Sequence, residues 1–292
     1  MNILIVSQYF YPENFRINDF AQEFQSRGHN VTVLTGTPNY PSGEFFNGYG
    51  IFKKTRENYK GIHIYRAPLI PRGSGSNLRL ALNYISYVIG AVFTSLFILR
   101  KKLDIIFVFE PSPITVGLPA IFIKKIKRIP ICFWVLDLWP ESVVSAGNLK
   151  SGLIPKLLNP IVKFIYHHCD KILVSSNGFI TSIVAKGVDA GKIEFFPQWA
   201  EPLFKPITSN NYLLGEIPKE SFKIMFAGNI GKRHKQAIVS LAEGKSWLSL
   251  IIKVERKTKE VVTGAVSTLL GPLKENVHTL GKRAEVCRSW ML

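Results

Sequence analysis

Seven short apolar runs, each closing on a polar or proline-bearing turn, recur through the first 200 residues. They read "NILIVSQ", "NVTVLTG", "GIHIYRAP", "LDIIFVFEPSP", "IPICFWVLDLWPES", "DKILVSSNGF" and "KIEFFPQWAE". Short apolar runs bounded by turn signals are buried strands. Helical stretches separate them: after the first run, Ile17, Phe20, Ala21 and Phe24 stand at helical spacing and Gly28 is a stop signal. Alternating strand and helix implies an α/β fold, a Rossmann-like parallel sheet with helices on both faces. Ligands of such sheets bind beyond the carboxyl ends of the strands. The polar strand ends are therefore where chemistry is to be sought.

The expected division is a first domain over 1–200, a linker over 201–221 carrying three prolines, and a second unit over 222–292. The second unit opens on a strand, Phe222–Ala227, and its regular pattern decays from Lys232 onward. A formal net charge of +17 points to an anionic partner: a phosphate-bearing ligand, nucleic acid or acidic lipid headgroups. Cys132, Cys169 and Cys287 are scattered, and no histidine pair has HExxH spacing, so neither a disulfide framework nor a metal site is expected. "MNILIVSQYF" reads as a first strand rather than a signal peptide.

Ala81–Leu99 is 19 residues without a charge, preceded by Arg79 and closed by Arg100-Lys101-Lys102. A membrane span needs about 20 predominantly apolar residues. Asn83, Ser86, Thr94 and Ser95 weaken that reading, and the leading expectation is a helix packed on the sheet. A third reading rests the helix on an anionic membrane surface, through the basic residues of 79–102 and a second cluster at 124–128. Neither cluster interleaves aromatics with an RNA-binding signature, so no nucleic acid is expected.

The first turn, "SQYFYPENFRIND", lacks the G-x-G-x-x-G of a dinucleotide site and offers Gln8, Tyr9, Tyr11, Pro12, Glu13, Arg16, Asn18 and Asp19 instead. Such groups line a sugar pocket or form a plain polar loop. The absent glycine motif, with no Y-x-x-x-K, also disfavours an epimerase or oxidoreductase. Asp137, in "WVLDLWPES", ends an apolar strand beside Trp139, Pro140 and Glu141. It is either a raised-pKa proton acceptor or a helix cap, and Glu110 in "FEPSP" faces the same choice. "FAGNIG" is a short strand-to-glycine turn of the kind that meets phosphate at a helix N-terminus.

Together "QYFYPENFRINDFAQEFQSRGHNVTVLTGTPNYPSG", "VLDLWPES", "VSSNGF" and "FAGNIG" resemble the retaining glycosyltransferases of family 4, over 1–231 and in the family's order. They are most similar to the branch adding amino or deoxy sugars, of L-fucosamine type, to lipid-linked oligosaccharides of bacterial O-antigens and capsules. The resemblance implies a two-domain GT-B architecture, with an acceptor in the first domain, a sugar nucleotide (UDP-linked) in the second, and no metal or cofactor. It implies a cytoplasmic protein, peripheral at the inner face of the plasma membrane. Tyr11, Pro12, Glu13, Arg16, Asn18 and Tyr40 would be acceptor-side residues, with Glu110, Trp139 and Glu141 beside them. Asp137 would be the catalytic acidic group. Gly228, Asn229 and Gly231 would hold the donor diphosphate.

Two departures stand out. Gln198 replaces the usual Asn after the strand-ending Pro197, and the E-x7-E pair and basic donor residue expected after Gly231 are not evident. "LKENVHTLGK", Leu273–Lys282, again looks like a family strand. Matching ends around a mismatched middle suggest a reading frame shifted out and back, a shortened donor domain and little activity. The alternative function is a non-catalytic, membrane-associated acceptor domain.

Overall fold

The computed structural model describes residues 1–147, 153–199, 237–242 and 249–254. The chain forms two units, Met1–Ala200 and Glu201–Leu292.

In the first unit the order is β1 (Asn2–Val6), α1 (Arg16–Ser26), β2 (Asn30–Gly36), β3 (Arg56–Tyr59), β4 (Ile62–Ala67), α2 (Asn77–Ile98) and β5 (Ile105–Glu110). Then come α3 (Gly117–Lys127), β6 (Ile131–Val135), α4 (Glu141–Gly147), α5 (Leu153–His168), β7 (Lys171–Val174), α6 (Asn177–Val184) and β8 (Ile193–Phe195). The strands make one sheet ordered β3-β4-β2-β1-β5-β6-β7-β8. Every neighbouring pair is parallel except β3 with β4.

The doubly wound topology follows from crossover handedness. A parallel crossover is right-handed, so the direction of travel across the sheet fixes the face its helix covers. From β1 the chain first moves towards β2, and α1 covers one face over Ile5, Val33, Ile64 and Trp134. It then moves the other way through β5, β6, β7 and β8, and α2, α3, α5 and α6 cover the opposite face over Leu4, Val6, Val108 and Val135. Central strands covered on both faces must be apolar throughout, which is why "NILIV" and "ICFWV" carry no alternation.

One strand escapes the sequence pattern. β3 is "RENY", polar and half-exposed, and it pairs antiparallel to β4. Lys60 and Gly61 connect the two with φ of 51° and 85°. A two-residue turn with both φ positive matches the twist of a hairpin, so the turn and not an apolar run makes this strand.

The uncharged stretch 81–99 falls within α2 and its end, and one side of the helix is packed on the sheet. Gly90 shows how closely: a Cβ there would lie 2.2 Å from the carbonyl oxygen of Pro68. In the second unit β9 (Ala237–Ala242) and β10 (Ser249–Val254) pair antiparallel, where the sequence showed no clear pattern. The linker 201–221, the strand Phe222–Ala227 and the stretch Leu273–Lys282 lie outside the described residues.

Candidate functional site

The strand order reverses between β1 and β5, and in open α/β sheets the crevice at such a reversal takes the ligand. Here it is bordered by Ser7–Tyr11 after β1 and Pro111–Pro113 after β5, with the turns after β2, β4 and β6 alongside. The bonds Tyr11–Pro12, Tyr40–Pro41, Ser112–Pro113 and Trp139–Pro140, one in each of four of these turns, are all cis.

Glu13 organises the turns after β1 and β2. It is 2% exposed, and its carboxylate accepts the backbone N–H of Phe10 at 3.3 Å, Asn39 at 2.9 Å and Tyr40 at 2.8 Å. Burial pushes its pKa up to about 7, against the pull of those three bonds. Asn18 does similar work, accepting Tyr11 N–H at 3.1 Å and donating to Glu13 O at 2.7 Å. Both residues thus shape the loop after β1 from beneath. Tyr11 stacks on Tyr59 with 3.8 Å between rings, and its carbonyl accepts from the buried guanidinium of Arg66 at 2.7 Å. Arg16 lies at the start of α1, 4.0 Å from Asp19 and over the Trp199 ring at 5.6 Å.

Above this frame sits an aromatic and cationic surface. Tyr40 is 38% exposed and meets Tyr9 at 5.7 Å and Phe15 at 5.4 Å, while Arg72 lies over its ring at 5.2 Å. A flat aromatic beside a guanidinium suits the apolar face and hydroxyls of a sugar.

Asp137 stands just past the end of β6, half-buried. Burial raises its pKa, and the polar side chains of Ser142, Trp139 and Ser112 nearby oppose that. The Trp139 indole donates to its Oδ2 at 3.2 Å. Glu110 lies beneath, fully buried, and its Oε2 accepts Asp137 N–H at 3.4 Å. Its Oε1 has no hydrogen-bond partner among the described residues. Burial, then the nearby Asp137 charge, pushes Glu110 well above the usual carboxylate range. The two carboxyls therefore differ: one partly exposed at the edge, one fully buried below with its pKa pushed further up. Glu110→Gln, the neutral isostere, is expected to change stability by less than about 1 kcal/mol in urea unfolding at neutral pH. A loss above about 3 kcal/mol would show that a charge is needed there.

Glu141 points elsewhere. Its carboxylate accepts from Lys186 Nζ and Ser182 Oγ, each at 2.6 Å, which fastens α4 to α6. Gly228, Asn229 and Gly231 lie outside the described residues.

Several residues that complete the site carry no motif. Asn83 of α2 is fully buried; it accepts from Gln8 Nε2 at 2.7 Å and donates to Ile70 O at 2.6 Å. Asn39 Oδ1 accepts Arg72 N–H at 3.1 Å. Tyr84, also on α2, meets Trp139 edge-on at 6.4 Å and so links the aromatic surface to Asp137. A polar Asn inside the uncharged stretch 81–99 was the available signal for this network.

A cavity of about 470 Å³ lies at the opposite, amino edge, bordered by Asn2, His29, His63 and Lys102. It is far from the carboxyl pair and from the strand-order reversal, and the site is assigned to the carboxyl edge. Among the described residues no group of three or more His, Cys, Asp or Glu could hold a metal ion.

Residues 14–199 match the family of glycosyl transferase 4-like domains. The Escherichia coli (strain K12) protein WcaI, provisionally named a colanic acid biosynthesis glycosyl transferase, is 24% identical over 263 residues. That match covers 85% of this chain and 63% of WcaI, so the chain spans less than two thirds of that relative's length. The sucrose-phosphate synthase of Thermosynechococcus elongatus is similar in fold, with a TM-score of 0.52 at 12% identity, over 74% of this chain and 53% of the synthase.

Proposed function

The chain belongs to the family of glycosyl transferase 4-like domains, and from that premise we propose that it transfers a sugar from a nucleotide sugar to a saccharide acceptor in surface-polysaccharide biosynthesis. The observation that carries this reading is Asp137, enclosed at the carboxyl edge beside Trp139, with Arg72 and the Tyr9–Tyr40 surface on the same edge. The acceptor hydroxyl approaches Asp137, whose raised pKa suits it to take the proton. The aromatic surface positions the sugar rings.

The donor is a UDP-linked sugar of amino or deoxy type, and the turn Gly228–Gly231 holds its diphosphate. Charge develops on that diphosphate as it leaves, and the backbone N–H groups of these glycines stabilise it. The product keeps the anomeric configuration of the donor. The acceptor is lipid-linked, and the protein works at the cytoplasmic face of an anionic membrane. The relative named for colanic acid biosynthesis supports the polysaccharide setting.

The test is incubation of the purified full chain with a panel of UDP-sugars and lipid-linked saccharide acceptors, with UDP release and product mass as readouts. Transfer with one donor class supports the reading. Binding of a lipid-linked saccharide without UDP-sugar binding or transfer favours the non-catalytic acceptor module, and neither binding nor transfer overturns both.

A further inference from the structure

The outward face of α2 is largely uncovered among the described residues, with Arg56 over the Phe97 ring at its end. Leu78, Leu82, Ile85, Ile89, Phe93 and Phe97 follow one another at steps of three and four, and all are exposed, Phe93 by 64% and Ile85 by 58%. Residues so spaced form one stripe. The stripe runs along a helix about 33 Å long. Soluble monomers rarely expose apolar patches of that extent.

The surroundings of the stripe are cationic. α2 itself contains no acidic residue, and Arg100, Lys101 and Lys102 follow it. Lys127 Nζ donates to Leu99 O at 3.0 Å, which brings the basic end of α3 to the same place. Lys124 differs, since it is engaged with Asp170 at 2.5 Å. Beside the stripe a pocket of about 610 Å³ lies between the β3–β4 hairpin and the second half of α2. Phe52, 81% exposed, and Phe93 border it. Arg56 lies 4.9 Å from the Phe97 ring and 5.6 Å from Tyr65, and Lys101 lies 5.5 Å from Tyr65. Arg56 has no carboxylate within ion-pair distance among the described residues.

The inward face of α2 decides between spanning and lying flat. Asn83, Tyr87, Gly90, Ala91, Ser95 and Ile98 are buried in the fold. Asn83 is bonded to Gln8 and Ile70, and Gly90 touches the backbone at Pro68. A transmembrane orientation would strip all of these contacts. A second copy is also disfavoured as the occupant, because an isologous contact would set like charges against each other.

We propose that α2 lies in the plane of an anionic bilayer surface, its outward stripe among the upper acyl segments, with Arg56 and Lys101 on lipid phosphates. The surface continues the proposed function, since the Asn83–Gln8 bond joins this helix to the loop bordering the site. A saccharide on a lipid in the same bilayer would then be presented to Asp137.

The full chain is floated with vesicles of phosphatidylcholine alone and with vesicles containing phosphatidylglycerol. No sugar nucleotide or acceptor is present, so the outcome is independent of transfer. Binding to the phosphatidylglycerol vesicles is expected. The pair Ile89→Glu and Phe93→Glu should lower partition by at least about 100-fold, with thermal unfolding unchanged. The pair Arg56→Ala and Lys101→Ala should lower it by about 10-fold. Alkaline carbonate should release the bound protein. Equal binding by wild type and the glutamate pair overturns the proposal. So does retention in carbonate, which indicates a span. So does a wild-type dimer that the glutamate pair disperses without any vesicle binding, which indicates a second copy.

Discussion

Glu13→Ala is expected to destabilise the first unit by about 3 to 6 kcal/mol, measured by urea unfolding, because buried N–H groups left unpaired cost about 1 to 3 kcal/mol each. The three donors concerned are Phe10, Asn39 and Tyr40. Glu13→Gln separates shape from charge. One amide face can still accept from Asn39 and Tyr40, while the other meets Phe10 with a donor, so a cost of about 1 to 2 kcal/mol is expected. The pH dependence carries a sign. The folded pKa of about 7 exceeds the ordinary value of 4.5, so between these the native chain keeps a proton that the unfolded chain has lost. This contribution is fully present below about 4.5 and is lost as pH rises through 7, at up to about 1.4 kcal/mol per pH unit. Glu13→Gln should flatten that slope. The same slope in wild type and Glu13→Gln would show that Glu13 does not titrate in this window.

Asp137→Asn is expected to lower sugar transfer by about 100-fold to 10,000-fold, the usual worth of a positioned base. The fold should survive, since the amide oxygen can still accept the Trp139 indole N–H. Wild-type initial rates, followed as UDP release at saturating donor, should climb as pH rises through the elevated Asp137 pKa. The residual rate of the variant should lack that limb. A variant with an unchanged rate would leave Asp137 as a packing residue at the start of α4. A variant that loses rate but keeps the pH limb would assign the titration to another group.

The sheet was legible because its central strands are covered on both faces and so had to be written in apolar residues. β3 was not, because a hairpin turn and backbone pairing produce it without an apolar run. The site was legible in part. Asp137, Glu110 and the aromatic loops stand at strand ends, where a parallel sheet gathers them at one edge. Their division of labour was hidden. Nothing in the spacing of Glu13 shows that its carboxylate turns inward onto three N–H groups, or that Glu141 turns to Lys186. Those directions depend on contacts between residues far apart in sequence. The same holds for Asn83, which weakened a spanning helix in the sequence and in the fold links that helix to Gln8.

Both margins of the sheet are narrow: β3 has four residues and β8 has three. β3 further carries Arg56 and Glu57, flanked by Lys54 and Lys60. Unpaired edge backbone invites another chain to add a strand, and short, charged edges discourage it. A newly made copy crowded among others therefore meets little backbone on which to nucleate cross-strand aggregation. The eight strands can stay a closed account of one chain's hydrogen bonds.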